Sequence, residues 1–299
     1  MTSSIFEQGD DHPVFVRGLS RSGGTLLVTL LDAHPQIAMS YELYPTLLEG
    51  DVSDSQIEEV AKKLINARSQ KDALKAAPYP GFRTFIARAD RGGLHYKRLG
   101  ELVLEHLSAG KKLSKESDRL QLIAACCREK MMHEAAQCWG LKCNNNYDAY
   151  LSEWPGSRFI NIIRDGRDVL ASQMNTGAFA KEPAKLGQSW ANTHRRFREF
   201  KSAHPDLACE VKYEALVTSP ETELRKLTTF LGVPFSPNML RHANCNLTLF
   251  KSSHLSMDEV RQPVNTKKIG RWRTDLSKTV VQQFVSVAGD ALREFGYEV

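Results

Sequence analysis

The sequence predicts an α/β fold in which a central parallel sheet is flanked by helices. Three observations indicate this: short apolar, β-branched runs typical of buried parallel strands, amphipathic helical segments that alternate with those runs, and no long linker between them. At 299 residues the chain is long enough to bury a sizeable core. We therefore expect a single domain over 1–299 with a helical insertion at about 45–138.

The N-terminal region predicts a strand, a turn and a helix. Val14–Val16 is typical of a buried strand, and a turn rich in glycine and serine follows over 18–24. The apolar spacing over Thr25–Ala33 predicts a helix, which Pro35 ends. A second short segment then runs over Ile37–Glu42.

The insertion has the pattern of a helical region, with a loop that contains several arginines at Pro78–Gly93. The predicted helices are Asp54–Ala77, Lys97–Ala109 and Glu116–Gln137. Ser53 or Asp54 can cap the first of them. This part of the chain is expected to carry much of an acceptor site.

The second half of the chain repeats the alternation of strands and helices. Arg158–Ile163 and Leu207–Val211 predict strands, and helices are expected from Val169 onward and over Pro220–Leu231, where Gly232 ends the second. The tail holds a cluster of lysine and arginine over 267–273 and a final amphipathic helix over 279–295.

Composition and charge narrow the class of protein. Apolar residues make up 41% of the chain and charged residues 25%, which excludes a wholly disordered or fibrous protein. The formal net charge of +5 suits a small anion rather than a long nucleic acid. The 6 cysteines form no paired C-x-x-C motif for zinc. No apolar run reaches the roughly 18 residues of a membrane span, and the polar start does not resemble a secretory signal, so we expect a cytoplasmic protein.

The turn after the first strand is the strongest local signal. Residues 18–25 match the phosphate-binding pattern G-x-x-x-x-G-K-[ST] at every fixed position except the lysine, which Gly24 replaces. Backbone amides at the start of the helix can still hold an anion. ATP·Mg²⁺ also needs the charge of that lysine, although Arg21 can supply a cation from another direction. The turn suits a phosphate group, and an ordinary tight turn is the alternative.

A second pattern lies at the end of the second predicted strand. Arg164 stands there, and Ser172 follows 8 residues later on the next helix. The carboxyl edge of a parallel sheet faces the crevice where such folds bind ligands. A guanidinium and a hydroxyl at this edge can hold one phosphate. Taken alone, the segment would be interpreted as a solvated turn.

Together with three further segments, these two patterns resemble the sulfotransferases that use 3′-phosphoadenosine 5′-phosphosulfate (PAPS). The segments, in the order of that family, are Gly18–Glu42, Trp139–Lys142, Arg164–Ser172, Tyr213–Gly232 and Pro263–Trp272. Their spacing is most similar to that of the tyrosylprotein sulfotransferases and their bacterial relatives. The chain departs from the pattern at Gly24, where a threonine is usual, and at Tyr41, where the tyrosylprotein enzymes have a second glutamate.

The resemblance implies a P-loop-type sulfotransferase fold and transfer of a sulfuryl group from PAPS to an acceptor hydroxyl or phenol by in-line displacement. Glu42 would be the general base, and Arg21 and Lys142 would neutralise charge on the sulfuryl group and the leaving phosphate. A sulfuryl group carries less charge than a phosphoryl group, so no metal is required. The residues expected to hold PAPS are Arg21, Ser22, Gly23, Gly24, Thr25, Leu26, Arg164, Ser172, Tyr213, Lys267, Lys268, Arg271 and Trp272.

Other possibilities stay open on the sequence alone. A P-loop nucleotide kinase or NTPase has only the turn in its favour, and a protein that binds PAPS without catalysis is a third function. The acceptor is unidentified, and a homodimer is possible. If the loop arginines Arg83, Arg88 and Arg91 face the cleft, they favour an acidic acceptor, and His95 is a reserve base.

Overall fold

Five parallel strands form the central sheet of the computed structural model, which describes residues 12–176, 182–245, 249 and 260–299. The strands are β1 (Val14–Arg17), β2 (Ile37–Ser40), β3 (Cys138–Lys142), β4 (Arg158–Ile163) and β5 (Ala208–Lys212). Their order across the sheet is β2-β3-β1-β4-β5, and every neighbouring pair is parallel. The predicted α/β class with a parallel sheet is therefore confirmed.

Helices cover both faces of this sheet. They are α1 (Gly24–Asp32), α2 (Asp54–Asn66), α3 (Gln70–Ala76), α4 (Pro80–Arg91), α5 (Tyr96–Ser108), α6 (Glu116–His133), α7 (Tyr147–Glu153), α8 (Gly166–Thr176), α9 (Pro183–Ala203), α10 (Tyr213–Thr218), α11 (Pro220–Leu231), α12 (Trp272–Asp275) and α13 (Lys278–Glu294). Short 3₁₀ helices lie at Pro45–Leu48 and Pro237–Asn244. No helix among the described residues is both long and apolar enough to cross a membrane.

The central strand β1 shows why the strands are apolar on both sides. Phe15 packs in the core cluster that includes the insertion helices, and its ring stacks on Phe159 of the neighbouring strand β4 with centroids 5.1 Å apart. Val14 and Val16 face the opposite layer, which includes Leu27 of α1. All three β1 residues are fully buried, as expected for a strand covered by helices on two sides. Because the strands are parallel, their carboxyl ends meet at one edge of the sheet.

The predicted loop at Pro78–Gly93 is wrong, because Pro80–Arg91 forms helix α4. Pro80 stands at the start of the helix, where its missing N–H costs nothing. The buried residues of α4 are Phe82, Phe85, Ile86 and Ala89. They have the i, i+3, i+4, i+7 spacing of an amphipathic helix. The flanking glycines and the arginines hid this periodicity.

Other boundaries also differ from the prediction. Asp54–Ala77 is two helices, since Ala67 is extended and the Ser69 hydroxyl accepts a hydrogen bond from the Asp72 amide to begin α3. The predicted cap at Ser53 is confirmed, because its hydroxyl accepts from the Gln56 amide. The last helix of the insertion ends at His133, and the unpredicted strand β3 follows.

Candidate active site

The carboxyl ends of β1, β3 and β4 border one cavity of about 1140 Å³. The turn after β1 forms its floor, and Tyr41, Glu42 and Tyr44 line it from the end of β2. Helix α4 contributes Arg88 and Arg91. The predicted site residues that line the cavity are Arg21, Gly23, Gly24, Thr25, Leu26, Glu42, Lys142, Arg164, Ser172, Tyr213, Lys267 and Lys268.

The turn after β1 needs glycine for a steric reason. Gly23 has a φ of 92°, and a Cβ atom there would lie 2.5 Å from the Tyr213 ring. Helix α1 begins at the next residue, Gly24, so its first amides have no partner within the helix. Arg21 also adopts a positive φ, 74°, which is uncommon for a residue with a side chain. This strand–turn–helix is suited to hold an anion.

Glu42 lies in a cluster of charged and hydroxyl groups. Its Oε1 atom is 2.5 Å from Lys142 Nζ, and its Oε2 atom is 3.4 Å from a guanidinium nitrogen of Arg88. The Tyr41 hydroxyl accepts a hydrogen bond from Thr25 and donates one to Glu42. The backbone of Glu42 is left-handed, with a φ of 48°. Such strain is typical of functional sites, where surrounding contacts hold it.

These neighbours decide the charge of Glu42. Burial alone raises the pKa of this carboxyl, but the ammonium of Lys142 and then the guanidinium of Arg88 outweigh it, and the net effect lowers the pKa. Glu42 is therefore ionised at neutral pH. Tyr41 is different, because burial raises the pKa of its phenol and keeps the hydroxyl protonated.

A second polar group forms around Arg164 and Ser172. Arg21 Nε donates a hydrogen bond of 3.0 Å to Ser172 Oγ, which joins the turn to α8. Arg164 donates to the backbone oxygens of Arg21 and Lys268 and lies over the Tyr213 ring, 4.5 Å from its centroid. Its Nε atom is buried and has no hydrogen-bond partner among the described residues.

Three predicted ligands do not line the cavity. Ser22 is fully buried beneath the turn. The Arg271 guanidinium pairs with Asp275 at 2.5 Å, one helical turn away. The indole of Trp272 lies between the guanidinium groups of Arg167 and Arg273, 4.1 and 4.5 Å from its centroid. Neither Arg271 nor Trp272 lines the cavity, and their contact with PAPS stays a prediction.

The structure adds residues that the sequence analysis missed. Asp168 is fully buried, and its carboxylate accepts hydrogen bonds from the amides of Gly270 (2.8 Å) and Trp272 (3.0 Å), which fixes the C-terminal segment beside the cavity. Burial raises the pKa of Asp168. The sequence could have identified Asp168 by its position four residues after Arg164, which places it on the helix side that faces the sheet. Arg17 and Tyr44 also line the cavity, and no sequence motif pointed to them.

The fold and this site define a transferase of the α/β class whose cavity is built for an anionic group. Residues 13–237 match the model of the sulfotransferase family. The chain belongs to this family, and it is a sulfotransferase. The predicted family, enzyme class and fold are confirmed.

Curated relatives and solved structures agree with this assignment. The chain is 25% identical to protein-tyrosine sulfotransferase A of Caenorhabditis elegans over 95% of its own length and 67% of that protein. It is 24% identical to the protein-tyrosine sulfotransferase of Drosophila melanogaster over 95% of its length, which is 51% of that protein. The sulfotransferase domain of the Synechococcus PCC 7002 olefin synthase shares the fold, with a TM-score of 0.65, 18% identity and 98% coverage of both chains.

Proposed function

We propose that this sulfotransferase moves the sulfuryl group of PAPS to an acceptor hydroxyl or phenol, with Glu42 as the general base and in-line geometry. One observation carries the proposal. A single cavity joins the glycine-rich turn, the ion pair of Glu42 with Lys142, and the pair of Arg164 with Ser172. These are the three functions that the reaction needs: an anion cradle, a base beside a cation, and a phosphate clamp.

The residues of the cavity fit PAPS. The amides that begin α1 would hold its 5′ end, and the guanidinium of Arg164 with the Ser172 hydroxyl would hold its 3′-phosphate. Lys267 and Lys268 line the same wall and add positive charge. When bound, PAPS supplies the activated sulfuryl group.

The acceptor side follows from Glu42 and its neighbours. The ionised carboxylate of Glu42 would take the proton of the acceptor hydroxyl, and Lys142 would offset the charge that develops beside it. Arg88 and Arg91 line the cavity, and Arg83 does not, so two of the three arginines of α4 favour an acidic acceptor. The relatives are named for protein tyrosine, which supports a phenol among the acceptors.

Ligand-induced thermal stabilisation tests the donor. We expect adenosine 3′,5′-bisphosphate to raise the melting temperature more than AMP or ATP·Mg²⁺, since a ligand at 100 times its Kd adds about 2.7 kcal/mol. Arg164→Ala should abolish this shift, and Glu42→Gln should keep the shift and lose sulfuryl transfer.

Arg293→Ala is the matched control, because Arg293 is exposed and pairs with Asp290 on α13. Stabilisation by ATP·Mg²⁺ alone would contradict the proposal and indicate a nucleotide kinase. A bisphosphate shift without transfer to any acceptor would indicate a binding protein.

A further inference from the structure

The glycine-rich turn and Glu42 share one cation. Lys142 lies at the end of β3, beside β1, and its side chain crosses the start of α1 to reach Glu42. A Cβ atom at Gly24 would lie 3.1 Å from Lys142 Cε and 3.7 Å from Nζ. The lysine side chain is 7% exposed, so little water screens its charge. The ammonium therefore borders both the carboxylate and the amides that suit an anion.

The other groups that face Glu42 are placed differently. Arg88, from α4, is 3.4 Å from the Glu42 carboxylate, donates to the Glu42 backbone oxygen and lies over the Tyr44 ring. The Tyr41 hydroxyl donates a hydrogen bond to Glu42. Burial, and then the charge of Glu42, raise the pKa of the Tyr44 phenol. Among these groups, Lys142 is the closest cation and the one that passes Gly24.

We infer that Lys142 couples the turn to Glu42, so that an anion held at the turn increases the affinity of Glu42 for a proton. An ammonium that lies between two anions stabilises the charge of each anion less than it would stabilise the charge of a single anion. The coupling is reciprocal, because protonation of Glu42 leaves more of the Lys142 charge for the anion. This inference rests on the proposed function.

The coupling has a consequence for the order of events. In the donor-free protein, Lys142 and Arg88 keep Glu42 ionised and weakly basic. An anionic donor at the turn makes the same carboxylate a stronger base. The acceptor hydroxyl is therefore deprotonated efficiently only in a protein that already holds the donor.

Gly24 is the position that permits this pairing. A Cβ atom at residue 24 would lie 3.1 Å from Lys142 Cε, so the lysine side chain would have to move by a few tenths of an ångström. Gly24 is thus a positioning residue, which acts on Glu42 through Lys142.

Proton uptake on binding tests the coupling without turnover. The probe is adenosine 3′,5′-bisphosphate, titrated calorimetrically near pH 5 in two buffers of different ionisation enthalpy. If binding moves the pKa of Glu42 by about one unit, wild type should take up more protons than Glu42→Gln, with a maximum of about 0.5 proton per molecule at the pH midway between the two pKa values. The titration is therefore repeated at several pH values below pH 5.5. The protonation of the bound phosphates is measured separately in each protein from their phosphorus NMR shifts, and the uptake that remains after subtraction belongs to Glu42.

Three variants locate the effect. Gly24→Ala and Lys142→Met should lose at least half of the extra uptake, because each weakens the link from the turn to Glu42. Gly289→Ala on α13 should behave as wild type, since a Cβ atom there makes only ordinary contacts of 3.5 Å or more. Bisphosphate binding with equal uptake in wild type and Glu42→Gln would overturn this inference alone. No bisphosphate binding by wild type would overturn the proposed function as well.

Discussion

At the scale of single residues, Glu42 is held in its charged form by neighbours that the fold provides. Burial raises the pKa of this carboxyl, but the charges of Lys142 and Arg88 outweigh burial. The pKa in the folded protein is therefore lowered below the ordinary value of 4.5. The carboxylate therefore contributes stability above the unfolded pKa, and this contribution is lost as the pH falls through the folded pKa. Glu42→Gln removes it.

We expect Glu42→Gln to lower the free energy of unfolding at pH 7 by about 1–3 kcal/mol, because Lys142 loses its carboxylate. The deficit relative to wild type should shrink below pH 4.5. Urea denaturation of both proteins at pH 7 and pH 4 measures this, with Glu59→Gln, in an exposed pair with Lys63, as the control. An equal deficit at both pH values would contradict the assigned charge state.

The same scale shows what a sequence can and cannot reveal about a site. The motifs identified Glu42, Lys142, Arg164 and Ser172, which the structure brings to one cavity. Arg271 pairs with Asp275 one turn later, and its predicted contact with PAPS stays a prediction. A charge run does not show which cation faces the cavity, because that depends on tertiary contacts.

At the scale of elements, the C-terminal segment depends on α8. Asp168 holds the amides of Gly270 and Trp272, and Lys267 and Lys268 just before them line the cavity.

The substitution Asp168→Asn keeps one side-chain oxygen as an acceptor but turns an amide NH2 group towards one of the two backbone N–H groups. We expect about tenfold weaker binding of adenosine 3′,5′-bisphosphate and faster hydrogen exchange at Gly270 and Trp272. Asp290→Asn, on the exposed side of α13, should change neither. Unchanged exchange would show that the segment is held by other contacts.

A second contact between elements joins α9 to β4. His194 is fully buried, and its Nδ1 atom accepts a hydrogen bond of 3.2 Å from the side-chain amide of Asn161. Burial, then Arg17 and Arg198, lower its pKa from 6.5 to about 3. Between these values the unfolded chain binds more protons, so stability is lost as the pH falls from 6.5.

We expect wild type to lose about 2 kcal/mol more stability than His194→Gln between pH 7.5 and pH 5. Glutamine keeps a polar partner for Asn161 and does not titrate. Chemical denaturation at the two pH values gives the comparison, and His133→Gln at the end of α6 serves as the control. A parallel loss in wild type and His194→Gln would mean that His194 is already protonated in the folded state.

At the scale of the whole molecule, the sheet order explains how distant segments form one site. The prediction of a parallel sheet needed only the apolar strands and the helices between them. Strand β3 was missed, because Cys138–Lys142 is short and follows a helix without a glycine or proline to mark the boundary. Its place beside β1 brings Lys142 to the turn, and only pairing in the sheet can reveal that. Cytoplasmic location and a homodimer stay predictions.

Helix α4 lies in a different part of the chain from the groups assigned to the donor. The groups assigned to the donor lie on the turn, on β3, on α8 and on the C-terminal segment, whereas Arg88 and Arg91 belong to the helical region between β2 and β3. Substitutions on α4 can therefore alter which molecules receive sulfate while the donor groups stay in place. A library randomised at α4 is accordingly a direct route to variants with new acceptors.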